Sequence, residues 1–251
     1  MSLSNNKIKY IQSLKNKKHR NQHKTFVAEG EKLVLDLLPS LKCQLIAGLP
    51  EIIDNMPATD DTEIISATEA ELKKASFLTT PPKVLAVFHQ PLHKIDYNSI
   101  DKELNLVLDG VQDPGNLGTI VRLADWFGIE HLFCSHDCAD IYNPKTTQAT
   151  MGAIARIKVI YTDIVSLLQR YPEAPIYGTF LDGQNIYEKE LHNRGFIVMG
   201  SEGNGISKEV ENMVNERLLI PNYPKNRPTS ESLNVAIATA ITCSEFRRAK
   251  Q

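Results

Sequence analysis

With 251 residues, 42% of them apolar and 23% charged, the chain can bury a sizeable core, as one large domain or two modest ones. No run of about 20 apolar residues occurs, and the polar, basic start lacks an apolar leader segment. A membrane-spanning helix and a secretory signal are therefore not expected, and the cytoplasm is. A formal net charge of −2 does not imply whole-molecule attraction to a polyanion, so the distribution of charge says more.

The first 25 residues form a basic cluster. They hold Lys7, Lys9, Lys15, Lys17, Lys18, Arg20 and Lys24, two histidines and no acid. A block of this kind either contacts several phosphates or forms a solvated helix face. Short β-like runs then alternate with helical stretches: "TFVAEG", "EKLVLDLLPSL", "CQLIAGL", "TEIIS", "ATEAELKKAS" and "KVLAVFHQ". This predicts a small α/β domain over residues 1–95, and the aperiodic, proline-bearing segment after Gln90 predicts a boundary between about 91 and 103.

A second α/β series, over residues 103–251, offers the strand candidates "LNLVLDGV", "HLFCS", "RIKVIYT", "PIYGTFL", "GFIVMGS" and "RLLIP". Near-continuous apolar strands alternating with helices predict a mostly parallel sheet covered on both faces, with ligands beyond the C-terminal strand ends. Of the four cysteines, only Cys134 and Cys138 are close in sequence. The second ligand pair of a structural zinc site is missing, so all four are expected to be small buried groups in a reducing compartment.

Three loops stand out. In "LDGVQDPGNLGTIVRLADWFGI" a turn-forming run leads into a helix from about Asn116 to Phe127, stopped by Gly128. Asn116 suits a helix cap, and Gly118 leaves space on the face that Arg122 occupies one turn later, so the arginine either lines a groove or pairs with Asp125 on a wet surface. In "FIVMGSEGNGISKEVENMV" the strand breaks at Gly200, glycines recur at 203 and 205, and a helix begins near Ser207 with Ile206, Val210, Met213 and Val214 on its buried face. The glycine order is not that of a dinucleotide site, and Glu202 would repel a diphosphate, so a phosphate-free or cationic ligand fits better; a plain tight turn is the alternative. In "LLIPNYPKNRPTSESLNVAIATAITCSEFRRAK" a helix is expected from about Ser232, with Ser232 as its cap. That helix is apolar nearly all round through Ile241, so it is buried in this chain or against a second copy.

Together these loops resemble the three signature motifs of the SpoU (TrmH-type) branch of the SPOUT methyltransferases. They are matched in order by "DPGNLGTIVRLADWFGI", "IVMGSEGNGIS" and "LLIPNYPKNRPTSESLNVAIATAI". The segment "NPKTTQATMGAIARIKVI" is similar to the family's stretch between the first two motifs, with Gln148 where an arginine is common and Thr150 for the usual serine. "IKYIQSLKNKKHRNQHKTFVAEGEKLVLDLL" and "PPKVLAVFHQP" resemble its substrate-binding domain, and the loop "NYPKNRPTSE" is longer than in many relatives.

The resemblance implies an α/β C-terminal domain with a deep trefoil knot, preceded by a smaller RNA-binding α/β domain. It implies S-adenosylmethionine as cofactor, methyl transfer to a ribose 2′-hydroxyl of RNA, with rRNA favoured over tRNA, and a homodimer joined through the C-terminal helix. By motif position Gly200, Ile220 and Leu233 would line the cofactor pocket, with Ser201, Gly203 and Asn234 beside them. Arg122, Asn116, Glu202, Ser232 and Asn234 would form the catalytic set. Lys15, Lys17, Lys18 and Arg20, with Arg122, would meet the RNA. Methyl transfer from a sulfonium requires alignment and help in deprotonating the hydroxyl, and no metal. Arg122 is expected either to act as the base or to hold the ribose and its phosphate, the latter suiting a guanidinium better. The competing expectations are an RNA-binding protein that keeps the fold without catalysis, and a nucleotide-dependent oxidoreductase, which would need a glycine fingerprint this chain lacks.

Overall fold

The computed structural model describes residues 2–57, 61–224, 227, 230 and 232–248. The chain divides into two units, Met1–Leu92 with Asp140–Arg156, and His93–Ala139 with Ile157–Gln251. Residues 140–156, which lie in sequence within the expected second domain, pack with the first unit.

In the first unit, strands β1 (Thr25–Glu29), β2 (Cys43–Gly48), β3 (Glu63–Ser66) and β4 (Val84–His89) form a sheet in the order β1-β4-β2-β3. β4 runs antiparallel to both neighbours, while β2 and β3 are parallel. The basic N-terminal block folds as helices Asn5–Ser13 and Lys17–His23. Ile8, Ile11 and Leu14 are buried against Val27, Leu45, Ile65 and Val87 of the sheet. The helix Pro144–Thr150 packs on β1, where Tyr142 lies 5.0 Å from Phe26, ring centroid to centroid. At Gly152 (φ +89°) a Cβ would stand 2.9 Å from that of Asp36, so this close approach needs glycine.

The second unit contains β5 (Leu104–Asp109), β6 (His131–Cys134), β7 (Lys158–Tyr161), β8 (Ile176–Asn185), β9 (Gly195–Gly200) and β10 (Glu216–Leu219). Their order is β10-β8-β9-β5-β6-β7, and every pairing is parallel. β5 is buried along its whole length, as its mainly apolar sequence requires of a central strand covered on both faces. From β5 the chain first adds β6 and β7 on one side, then crosses over to place β8, β9 and β10 on the other. The strand order thus reverses beside β5, where open parallel sheets receive ligands at the carboxyl ends of their strands. Asp109 stands opposite Gly200 in the register of β5 and β9, which brings the first two loops together.

Candidate active site

The first loop leaves β5 through Gly110, at φ +72°, and enters the helix Pro114–Trp126. The helix starts earlier than the sequence suggests. Asp113 is its N-cap, accepting from the Asn116 backbone N–H at 2.8 Å, and Pro114 occupies the first turn, where a missing N–H costs nothing. Asn116 is therefore relieved of capping, and its side-chain amide is directed elsewhere. Gly118 is buried, so it serves close packing rather than an open groove. Arg122 is exposed, and its guanidinium makes no hydrogen bond or ion pair among the described residues.

The second loop is a tight hairpin. Ser201 and Gly205 exchange both backbone hydrogen bonds, at 2.9 and 3.0 Å, with Glu202, Gly203 and Asn204 as its tip. A Cβ on Gly200 would lie 2.1 Å from the carbonyl carbon of Gly205, so the chain can fold back this closely only over a glycine. The Ser201 hydroxyl braces the same turn, accepting from the Asn204 N–H at 3.1 Å. Beyond it Ile206 and Val210 are buried, with Met213 and Val214 packed against their cluster, although the helix itself is only Lys208–Glu211.

The third loop ends in the helix Val235–Arg248. Its cap is Asn234, not Ser232: Asn234 Oδ1 accepts from the backbone N–H groups of Ala236 at 3.0 Å and Ile237 at 3.3 Å. Ser232 lies two residues before this cap and is exposed, as is Leu233, while Ile220 is half-buried just after β10. Val235, Ala236, Thr239, Thr242, Cys243 and Phe246 form the buried face. The helix is not enclosed on every side, for Ile237 is 54% exposed and Leu233, just before it, 48%.

Asn116 joins the three loops. Its Nδ2 donates to Glu202 Oε1 at 2.7 Å, and its Oδ1 accepts from Asn234 Nδ2 at 3.0 Å. The Glu202 carboxylate is held at an exposed position by a neutral donor, so it keeps its charge available to a cationic ligand. Two further residues support the arrangement. Asp109, 9% exposed, accepts from the Ser207 N–H at 2.7 Å and so ties β5 to the far side of the hairpin. Ser135 accepts from the Gly110 N–H at 2.8 Å and fixes the turn out of β5. The signal for Asp109 was an acid closing a mainly apolar buried strand; Ser135 carried no local signal. Cys134 and Cys138 lie buried beneath this turn, and a proton shared between their thiols pushes Cys138 down to about 7 and Cys134 upwards.

The basic block divides in two. Lys15, Lys17 and Lys18 are exposed. Arg20 is not available to RNA: it is 2% exposed, its guanidinium bonded to the carbonyls of Leu14 and Lys15 at 2.8 and 2.7 Å and paired with Asp140 at 2.6 Å. A guanidinium with five donors can satisfy the end of one helical turn and a carboxylate together, and here it does so inside the unit.

Comparison with known proteins places relatives beside this geometry. A model of the SpoU rRNA Methylase family matches residues 103–244, and one of an MRM3-like substrate binding domain matches residues 5–86. The chain is 30% identical over 259 residues to the 23S rRNA (guanosine(2553)-2′-O)-methyltransferase RlmP of Bacillus subtilis, with 98% of each covered. Among solved structures, a TrmH-family protein from Porphyromonas gingivalis superposes with a TM-score of 0.90 at 43% identity, covering 99% of each chain. The AdoMet-bound rRNA methyltransferase from Sinorhizobium meliloti superposes with a TM-score of 0.86 at 28% identity, covering 100% of this chain and 97% of that one.

Proposed function

The chain belongs to the SpoU rRNA methylase family, and from that membership we propose that it uses S-adenosylmethionine to methylate a ribose 2′-hydroxyl of ribosomal RNA. The observation that carries this reading at the level of residues is the Glu202–Asn116–Asn234 chain, which joins the three loops at the carboxyl ends of the parallel sheet. Its donor set suits a sulfonium cofactor. A carboxylate, amides and glycine-exposed backbone can receive a cation, and Gly203 has open space where a Cβ would stand. A diphosphate would meet the Glu202 charge instead.

In this reading Gly200, Ser201, Gly203, Ile220, Leu233 and Asn234 hold the cofactor, largely through backbone groups. When bound, S-adenosylmethionine supplies an electrophilic methyl group on a positively charged sulfur that departs as a neutral thioether. Arg122 grips the phosphate and ribose oxygens of the RNA and so aligns the 2′-hydroxyl. A guanidinium resists deprotonation, so positioning rather than proton abstraction is its part. Asn116, Glu202 and Asn234 keep the three loops in one register, and the exposed Ser232 joins the set by its motif position. Lys15, Lys17 and Lys18 supply sequence-independent contacts to the RNA backbone.

The remaining features of the family reading belong to the same proposal. The second unit carries the family's deep trefoil knot. A homodimer covers the outer side of the helix Val235–Arg248, where Leu233 and Ile237 present apolar surface that one copy leaves exposed. The protein works in the cytoplasm, as a counterpart of a bacterial rRNA enzyme would. Among the described residues no helix is long and apolar enough to cross a membrane.

The test is Arg122→Ala in the full-length protein. Calorimetric binding of S-adenosylmethionine should stay near wild type, while methyl transfer to ribosomal RNA drops on the order of 10²-fold or more. Transfer near the wild-type rate would overturn the role given to Arg122, and failure of the wild-type protein to bind the cofactor would overturn the reading itself.

A further inference from the structure

A second cluster lies at the other end of the parallel sheet, before the amino ends of β5 and β6. His131 opens β6 and is 6% exposed. Neither of its ring nitrogens has a hydrogen-bond partner among the described residues. A buried imidazole with both nitrogens unpartnered is costly and calls for an explanation such as a bound ion or water. Its Nδ1 faces Glu103 Oε2 at 3.7 Å, too far for a hydrogen bond. One donor atom each from His131, Glu103 and Glu130 can be chosen so that all three lie within 4.8 Å of one another. Ligands of one tetrahedral ion with bonds near 2.0–2.1 Å stand roughly 3.3 Å apart, so small rotations of the two half-exposed glutamates bring the three donors onto one ion, with water as the fourth ligand.

The geometry points to a divalent metal site at His131, Glu103 and Glu130, built for zinc and distinct from the methyl-transfer loops at the opposite strand ends. One imidazole with two carboxylates is a mixed nitrogen and oxygen set. It favours zinc over calcium or magnesium, which prefer oxygen alone. Lys158, the first residue of β7, binds Glu130 Oε1 at 2.5 Å. That leaves Glu130 Oε2 for the ion while the ammonium orients the carboxylate, as outer partners of metal ligands commonly do. The ion would pin the entries to β5 and β6, and it takes no part in the reaction.

The experiment is titration of the chelator-treated full-length protein with zinc chloride at pH 7.5, followed by calorimetry and thermal denaturation. We expect one zinc per chain and a raised Tm. The double variant Glu103→Gln with Glu130→Gln changes only half-exposed side chains, so its fold is not at risk. It should bind zinc at least tenfold more weakly, with the Tm shift abolished, and His131→Asn should behave likewise. Absence of stoichiometric zinc uptake by the wild type overturns the site. So does a double variant that binds as tightly and gains as much Tm as the wild type.

Discussion

Asn234 donates its side-chain amide to Asn116 across 118 residues of sequence, at 3.0 Å, while its own oxygen caps the helix Val235–Arg248. One side chain thus has two separable duties. Asn234→Asp keeps an acceptor for the helix but sets a carboxylate against Asn116 Oδ1. Asn234→Ala removes both duties. The alanine variant should lose about 1 kcal/mol of stability by thermal denaturation, the aspartate variant much less. Both should bind S-adenosylmethionine at least tenfold more weakly by calorimetry. Equal stability in the two variants would separate Asn234 from the cap.

Gly200 and Gly203 share a loop but not a constraint. A Cβ at 200 would collide with the Gly205 backbone, whereas one at 203 meets nothing within 4 Å. Gly200→Ala is expected to push the hairpin out of place and abolish measurable cofactor binding, with far-ultraviolet circular dichroism unchanged. Gly203→Ala should retain binding within a few-fold. Wild-type affinity in Gly200→Ala would show that the hairpin is not part of the pocket.

The basic block offers a contrast between neighbours. Changing Lys15, Lys17 and Lys18 to Gln should leave Tm unaltered, weaken RNA binding and reduce the slope of log affinity against log salt by about 0.9 for each duplex phosphate no longer neutralised. Arg20→Ala should instead destabilise the fold by about 3 kcal/mol, because it strands Asp140 and two carbonyls inside the unit. An unchanged salt slope in the triple variant would remove these lysines from the RNA surface.

Glu29 gives a pH dependence with a definite sign. It is buried in β1 and accepts from the Phe77 N–H at 3.1 and 3.2 Å. Burial lifts its pKa above the ordinary 4.5, outweighing the hydrogen bonds from Ser76 and Phe77 that lower it. The folded chain therefore holds this proton more tightly than the unfolded chain. The resulting stabilisation is full below 4.5 and is lost as pH rises through the folded value. Glu29→Gln removes this titration, so its stability relative to wild type should increase from pH 4 to pH 8 in urea unfolding. A constant difference across that range would refute the assignment.

Most strands were legible because they are short apolar runs bounded by turn residues, although β8 continues through the polar Asp182–Asn185 beyond the run expected for it. The three loops were legible because their glycines, prolines and polar residues follow strand ends. The caps were only partly legible. Pro114 directly after Asp113 is a signal that the helix begins there, but Asn116 is also a capping type and competes with it on sequence alone. Ser232 and Asn234 are both good caps two residues apart, and nothing local decides between them. Arg20 was unreadable for a different reason. Composition identifies a basic block, but which side chain turns inward depends on Asp140, 120 residues later.

That same pairing imposes an order on biosynthesis. The first 92 residues hold all four strands of the first sheet, but Phe26 of β1 and Arg20 lack the partners supplied by 140–156 until those residues are made. The first unit can close only after the opening strands of the second have been made. A nascent chain that ends before residue 140 therefore carries Phe26 and Arg20 without the side chains that cover and pair them.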